Sequence, residues 1–193
     1  MSLVIAFIGK NGAVMAGDLR EISFQGEKTD REKLEKELYS GALITEDELE
    51  KKAEELKVKI KVTDFKSKVS ERGGILVGEV SSFEDGVLKI RRLYASAGNY
   101  AIAELRGNEF TLTSHGKGSN FITFGNEYTK QAANKCFQDN WTKTSNFEDA
   151  IRIVKLCMEI VANKTASVSK KFVLVQTALS KDVLRIVEKD KQG

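Results

Sequence analysis

The chain opens on two short apolar runs, Leu3 to Ile8 and Ala13 to Ala16, separated by Gly9-Lys10-Asn11-Gly12. Short apolar segments on either side of an Asn-Gly step predict a β-hairpin, which puts residue 2 at the start of a buried strand. Thr29-Asp30-Arg31-Glu32 and Thr45-Glu46-Asp47-Glu48 each fit the capping box, in which threonine and glutamate satisfy each other's orphan amides. Each precedes a charged segment of helical period, and Gly41 divides the two. Residues 29–59 are therefore predicted as a helical hairpin with a solvated outer face and Leu34, Leu38, Leu49, Ala53 and Leu56 as its packed stripe.

From Ile60 to Phe124 the pattern is strand-like, with runs broken at Gly73-Gly74, Glu84-Asp85-Gly86, Gly98-Asn99 and Gly107-Asn108. A helix is predicted over 126–137. A stronger one, capped by Asn146, runs from Phe147 to Ala162, with Ile151, Val154, Leu156, Ile160 and Val161 apolar. Two last strands are predicted, Phe172 to Thr177 and Val183 to Val187, followed by a frayed tail from Lys189 to Gly193. This element order indicates the α+β class.

Length and charge narrow the function classes. A chain of 193 residues, 41% apolar and 31% charged, suits one soluble domain across residues 1–193. The net charge of +3 arises from 31 basic and 28 acidic residues mixed along the chain, which argues against a nucleic-acid partner. No apolar run approaches a membrane span, and the first residues lack a signal-peptide pattern, so the expectation is a cytoplasmic protein without membrane insertion. Cys136 and Cys157 fall in helical patterns and read as reduced, buried side chains. His115, within Ser114-His115-Gly116-Lys117-Gly118, reads as a turn residue. One histidine and two cysteines are too few for a structural zinc site, and no metal or cofactor is expected. Chemistry must come from Ser, Thr, Lys, Arg and carboxylates.

Ser2-Leu3-Val4-Ile5-Ala6-Phe7, then Gly12, then Ala16-Gly17-Asp18-Leu19-Arg20 resembles the opening of proteasome-type N-terminal-nucleophile hydrolases. In that family a mature N-terminal threonine precedes the same hairpin and an aspartate at the same distance. Independently, Lys68-Val69-Ser70-Glu71-Arg72-Gly73-Gly74-Ile75-Leu76-Val77-Gly78 is similar to the family segment that holds the catalytic lysine. Phe121 to Gly125, the helix from Phe147, and Ser169-Lys170-Lys171-Phe172-Val173-Leu174 resemble the family's late strand, long helix and late serine. Two positions depart: Ala166 stands where the family has a second aspartate, and Asn126 where it has a serine after glycine. The predicted helical pair also lies before the lysine segment, whereas proteasome subunits carry theirs after it. That combination looks most like connectase, the proteasome-related protein ligases of methanogenic archaea.

The resemblance implies a four-layer αββα sandwich with an inserted helical hairpin. It implies Ser2, freed by removal of Met1, as the nucleophile, with Asp18, Lys68, Arg20 and Ser169 around it. Backbone amides near Ser81 and Ser82 are the expected oxyanion donors, and Asn126 the further position toward oxyanion or substrate. By the same resemblance the partner is a Lys-Asp-Pro-Gly-Ala motif carried by the tetrahydromethanopterin S-methyltransferase. The chemistry is coherent on its own terms. A terminal serine carries its own amine as general base, so no histidine is needed. A neighbouring lysine disfavours protonation of that amine and lowers the hydroxyl's pKa. Three activities remain open at this point: transpeptidation, ordinary N-terminal-nucleophile amide hydrolysis, and an inactive domain that only binds.

Overall fold

The computed structural model of the chain describes residues 3–84 and 86–192. Strands β1 (Val4–Gly9) and β2 (Gly12–Asp18) form the expected N-terminal hairpin, with every residue of both buried. Continuous burial means that both faces are covered, which is why these strands read as unbroken apolar runs rather than alternating ones. On one face Leu3, Ile5, Phe7, Val14 and Ala16 meet helices, and on the other Val4, Ala6, Ile8, Ala13 and Met15 meet a second sheet.

The first sheet is completed by β10 (Asn120–Phe124) beside β1 and β11 (Phe172–Thr177) beside β2, all antiparallel. Its outer face is covered by α3 (Glu127–Asn140) and α4 (Phe147–Ala162). Asn146 caps α4 by accepting from the Glu148 and Asp149 amides, as the sequence predicts. The second sheet is a five-stranded meander, β5 (Val69–Arg72), β6 (Ile75–Glu84), β7 (Val87–Ser96), β8 (Asn99–Arg106) and β9 (Glu109–Lys117). Gly73 and Gly74 join β5 to β6, both at positive φ (61° and 87°), the two-residue turn whose twist matches a hairpin and which disfavours side chains at both positions. The sheets approach closely at Gly78, where an added Cβ would lie 2.6 Å from Met15 Sδ and 2.8 Å from Val4 Cγ1.

The fourth layer is a helix where a strand is predicted. Val183–Gln192 forms α5, and its apolar side lies on Ile75, Val77, Tyr94, Ala101 and Ala103 of the second sheet. Val183, Leu184, Ile186 and Val187 fit one helical stripe as well as a short buried strand, and length alone does not separate the two. The outer face of the second sheet requires cover, and this segment supplies it. Lys189 to Gln192 continue that helix rather than fraying. His115 lies in β9, opposite Ala101 and exposed, rather than in a turn. The layers are therefore α3 and α4, first sheet, second sheet, α5: the αββα sandwich.

Between β3 (Arg20–Gln25) and β4 (Lys59–Asp64), which pair with each other alone, run α1 (Lys28–Tyr39) and α2 (Glu46–Glu55). Leu34, Leu38, Leu49 and Ala53 pack over Ile22, Phe24, Ile60 and Val62, closing a satellite core that also holds Ala166. The capping box at Thr45 is formed with Glu48. The box expected at Thr29 is absent: α1 starts earlier, with Glu27 at its N-cap and no side-chain cap bond. The helix begins directly where β3 releases the chain at Gly26, so anchoring to the strand decides the start over the local capping signal.

Candidate active site

Ser2, the expected nucleophile, lies outside the described residues. The groups expected around it are brought together. Asp18 ends β2 fully buried, and its carboxylate collects three donors. The Leu3 amide reaches Oδ1 at 2.8 Å, Lys68 Nζ reaches the same Oδ1 at 3.0 Å, and the Arg20 amide reaches Oδ2 at 2.8 Å. Lys68 Nζ also donates to the carbonyls of Asp18 (3.2 Å) and Arg20 (2.7 Å), which uses its full set of three protons. The Lys68 side chain is 3% exposed. Burial pushes its pKa down, and the Asp18 charge opposes that shift.

Local sequence explains the meeting. The chain reaches Lys68 just before β5, and Lys68's carbonyl accepts from the Glu79 amide at 2.8 Å, extending the β5–β6 ladder by one pair. Gly17 lets β2 pass directly beneath. An added Cβ there would sit 2.8 Å from Val69 Cγ1 and 3.2 Å from Lys68 Cβ.

Arg20 is a clamp outside this pair. Its guanidinium bonds Asp64 through Nε (2.8 Å) and an Nη (2.9 Å), Glu46 at 2.9 Å, and the Ala166 carbonyl at 2.9 Å. It thus ties β3, β4, the first turn of α2 and the segment before β11. The bond to Asp64 raises the Arg20 pKa, and the bond to Arg20 lowers that of Asp64. Sequence reasoning missed Asp64 and Glu46. The available signal was opposite charges at the two strand ends flanking the helical hairpin, Arg20 and Asp64, which the β3–β4 register sets opposite each other.

Ser169 is fully buried, accepting from the Leu19 amide at 2.8 Å and donating to the Lys171 carbonyl at 2.5 Å. Its hydroxyl braces the backbone between Asp18 and Arg20. Asn126 is not among the residues lining the cleft. Its side chain accepts from the Thr129 amide at 2.8 Å as the N-cap of α3, and that is where its acceptor is spent.

A cleft opens beside Lys68, lined by β3, by Arg31, Glu35 and Tyr39 of α1, by Lys66, and by Ser81, Ser82 and Phe83 of β6. Neighbouring residues of a strand send their amides to opposite sides. Glu79 donates toward the β5 side, so Ser81 faces the same way and Ser82 faces β7. Beyond the Lys68–Glu79 pair no strand runs along that side. Of the two expected oxyanion positions, the Ser81 amide is the one directed at the cleft. Phe83, 76% exposed, stands at its mouth. Among the described residues no group of three or more His, Cys, Asp and Glu side chains is placed to hold a metal ion, and no helix is long and apolar enough to cross a membrane.

The family model described as Connectase MJ0548-like, N-terminal domain, matches residues 1–192. Among curated proteins, none matches. Similar solved structures include Anbu (ancestral beta-subunit) from Yersinia bercovieri, at 9% identity and TM-score 0.42, covering 91% of this chain and 80% of that one. An Anbu (Gly-1) mutant from Hyphomicrobium sp. strain MC1 has 9% identity and TM-score 0.48, covering 100% and 93%. Eukaryotic HslV from Trypanosoma brucei has 14% identity and TM-score 0.38, covering 90% and 98%.

Proposed function

The chain belongs to the connectase N-terminal-domain family, and from that premise we propose that it is a cytoplasmic, sequence-specific transpeptidase whose nucleophile is Ser2 after loss of Met1. The observation that carries the reading is the shared acceptor at Asp18. One carboxylate oxygen takes both the Leu3 amide and the Lys68 ammonium. The backbone next to residue 2 and the lysine are thereby fixed to one atom.

In the proposed reaction the Ser2 amine takes the hydroxyl proton while Oγ attacks the scissile carbonyl carbon. The ester C–O bond forms as the C–N bond breaks, and the proton passes to the leaving amine. A buried ammonium at Lys68 favours the neutral amine and the developing alkoxide. The Ser81 amide stands toward the oxyanion. The acyl group can then shift from the serine oxygen to the serine nitrogen through a five-membered ring. That amide resists water, and the shift reverses when a new amine enters, which is the chemical basis for ligation over hydrolysis. The proposed partner is a peptide bearing Lys-Asp-Pro-Gly-Ala. Helix α1 walls the same cleft, where a second wall can hold an extended peptide on both sides of the scissile bond and exclude water.

Mass spectrometry of the protein processed to Ser2, incubated with that peptide and then with an acceptor amine, tests the proposal. An acyl adduct on residue 2 that disappears into ligated product is expected. Release of hydrolysed peptide with no adduct would leave a hydrolase, and no change in either species would leave a binding domain.

A further inference from the structure

Four cations line the cleft beside Lys68, and acids answer three of them. Arg20 is held by Asp64 and Glu46, Lys66 by Glu21 at 2.6 Å, and Lys68 by Asp18. Arg31 differs. Among the described residues its guanidinium enters no ion pair, and its Nε is buried with no hydrogen-bond partner. Buried guanidinium donors without an acceptor are uncommon because the group gives up water and receives nothing in return.

The helix explains why nothing on the protein fills the place. Arg31, Glu35 and Tyr39 follow each other at four-residue steps, so they form one stripe, and that stripe faces the cleft. The nearest acid along the stripe is Glu35, but an acid C-terminal to its base is the less favourable order for a pair across a helical turn. No Arg31–Glu35 bond forms. The remaining wall offers Ile22, Phe24 and Phe83, which have no side-chain acceptor, and Glu21, which is engaged by Lys66.

We infer that Arg31 is a subsite for a carboxylate side chain of the peptide substrate. The Nε and Nη donors of a guanidinium lie side by side and match the two oxygens of a carboxylate, whereas a single backbone carbonyl would satisfy one donor only. Glu35, one turn farther along the same wall, repels a second carboxylate and accepts a cation. The wall therefore reads charge by position, admitting an acidic side chain at Arg31 and rejecting one beside Glu35. The inference rests on the cleft being the peptide site of the proposed transpeptidase. It gives α1 a role in selecting the substrate as well as covering it.

The test is a binding cycle on the Ser2→Ala protein, which holds peptide without turnover. Fluorescence anisotropy would compare a labelled Lys-Asp-Pro-Gly-Ala peptide with its Asp-to-Asn counterpart, and a set in which each remaining position is changed in turn to Asp or Asn. Both sets would be run on proteins carrying Arg31, Arg31→Gln and Arg31→Lys. With Arg31, one position should show a preference of about tenfold for Asp over Asn, the size of a charge-assisted hydrogen-bond pair. That preference should fall below about twofold in Arg31→Gln and be partly restored in Arg31→Lys, since a point charge replaces the fork. The same preference in Arg31 and Arg31→Gln overturns the inference, as does a peptide set with no carboxylate preference or no binding. Mass spectrometry of the Ser2 protein separates the two levels. Acyl adducts without an Arg31-dependent preference remove the subsite alone. An Arg31-dependent preference without adducts removes the ligase reading and leaves the subsite.

Discussion

Replacing Asp18 by asparagine would test whether the buried pair is organised as the geometry indicates. The carboxylate accepts the Leu3 amide and Lys68 Nζ on one oxygen and the Arg20 amide on the other. Asparagine keeps one acceptor oxygen and turns the other into a donor, so the Arg20 amide or the Leu3–Lys68 pair loses its partner. An unsatisfied buried donor costs about 1–3 kcal/mol, and an uncompensated buried charge about 3–5 kcal/mol. These losses overlap, so a net destabilisation of about 3–4 kcal/mol is expected for Asp18→Asn near neutral pH, a large part of the ~5–15 kcal/mol a domain possesses. Urea denaturation at several pH values measures it. Burial already lowers the Lys68 pKa with Asp18 present, and losing that charge lowers it further. A base with a depressed folded pKa contributes most stability above its unfolded value, about 10.4 for lysine, and loses it as pH falls through the folded value. The penalty of Asp18→Asn should therefore shrink as pH rises toward 10, where Lys68 sheds its proton. Adding Lys68→Met to Asp18→Asn should recover part of the loss. A penalty below about 1 kcal/mol, or one independent of pH in this range, would refute the assignment of a charged, Asp18-held lysine.

Ser2→Ala should reduce turnover to less than about a tenth of the parent, since removing a nucleophile ordinarily costs orders of magnitude, while a peptide-binding assay changes little. Lys68→Ala should abolish activity in the ligation assay. Lys66→Ala, which breaks an exposed pair with Glu21 whose side chains are each 53% exposed, should change it less than about threefold, because such pairs contribute ~0–1 kcal/mol. Equal losses would mean that the two lysines share the role. Gly17→Ala should cost about 1–3 kcal/mol of stability as an overpacking change and lower kcat more than it raises KM, because the new methyl presses on Lys68 Cβ and Val69. Unchanged kinetics would show that β2 and Lys68 move apart freely.

The parts of the chain with a single local solution were legible. The β1–β2 hairpin has an apolar run on each side of Asn11-Gly12. Helix α4 has both a strong stripe and a cap at Asn146, and the box at Thr45 is realised. Elements decided by tertiary demand were misread. Val183 to Val187 carries a pattern that strand and helix share, and the uncovered face of the second sheet selects the helix. Thr29 carries a capping signal that the end of β3 overrides. In the site, Asp18 and Lys68 were found by spacing from known motifs. Asp64 and Glu46 have no motif, because they serve Arg20 across the hairpin rather than the reaction. Asn126 looked like a cleft residue from its place after Gly125, yet an asparagine before a helix is first a cap.

The Asp18–Lys68 pair also bears on why function is placed where it is. Buried ion pairs often add little net stability, and an apolar replacement of similar volume can match or exceed them. Nothing about the first sheet requires a lysine under it, for the strands around Gly17 are otherwise apolar on both faces. What an apolar pair would lose is the acceptor for the Leu3 amide and the Arg20 amide, the two backbone groups flanking the point where β2 hands over to β3. Through the first, Asp18 holds the backbone next to residue 2. Through the second, it holds the start of the strand that lines the cleft. Through Lys68 Nζ it fixes a cation between them that also reaches the Arg20 carbonyl. One carboxylate therefore sets the relative position of the chain start, the lysine and the cleft wall. Stability given up to bury it is returned as preorganisation, the condition under which fixed charges act on a developing alkoxide without having to move.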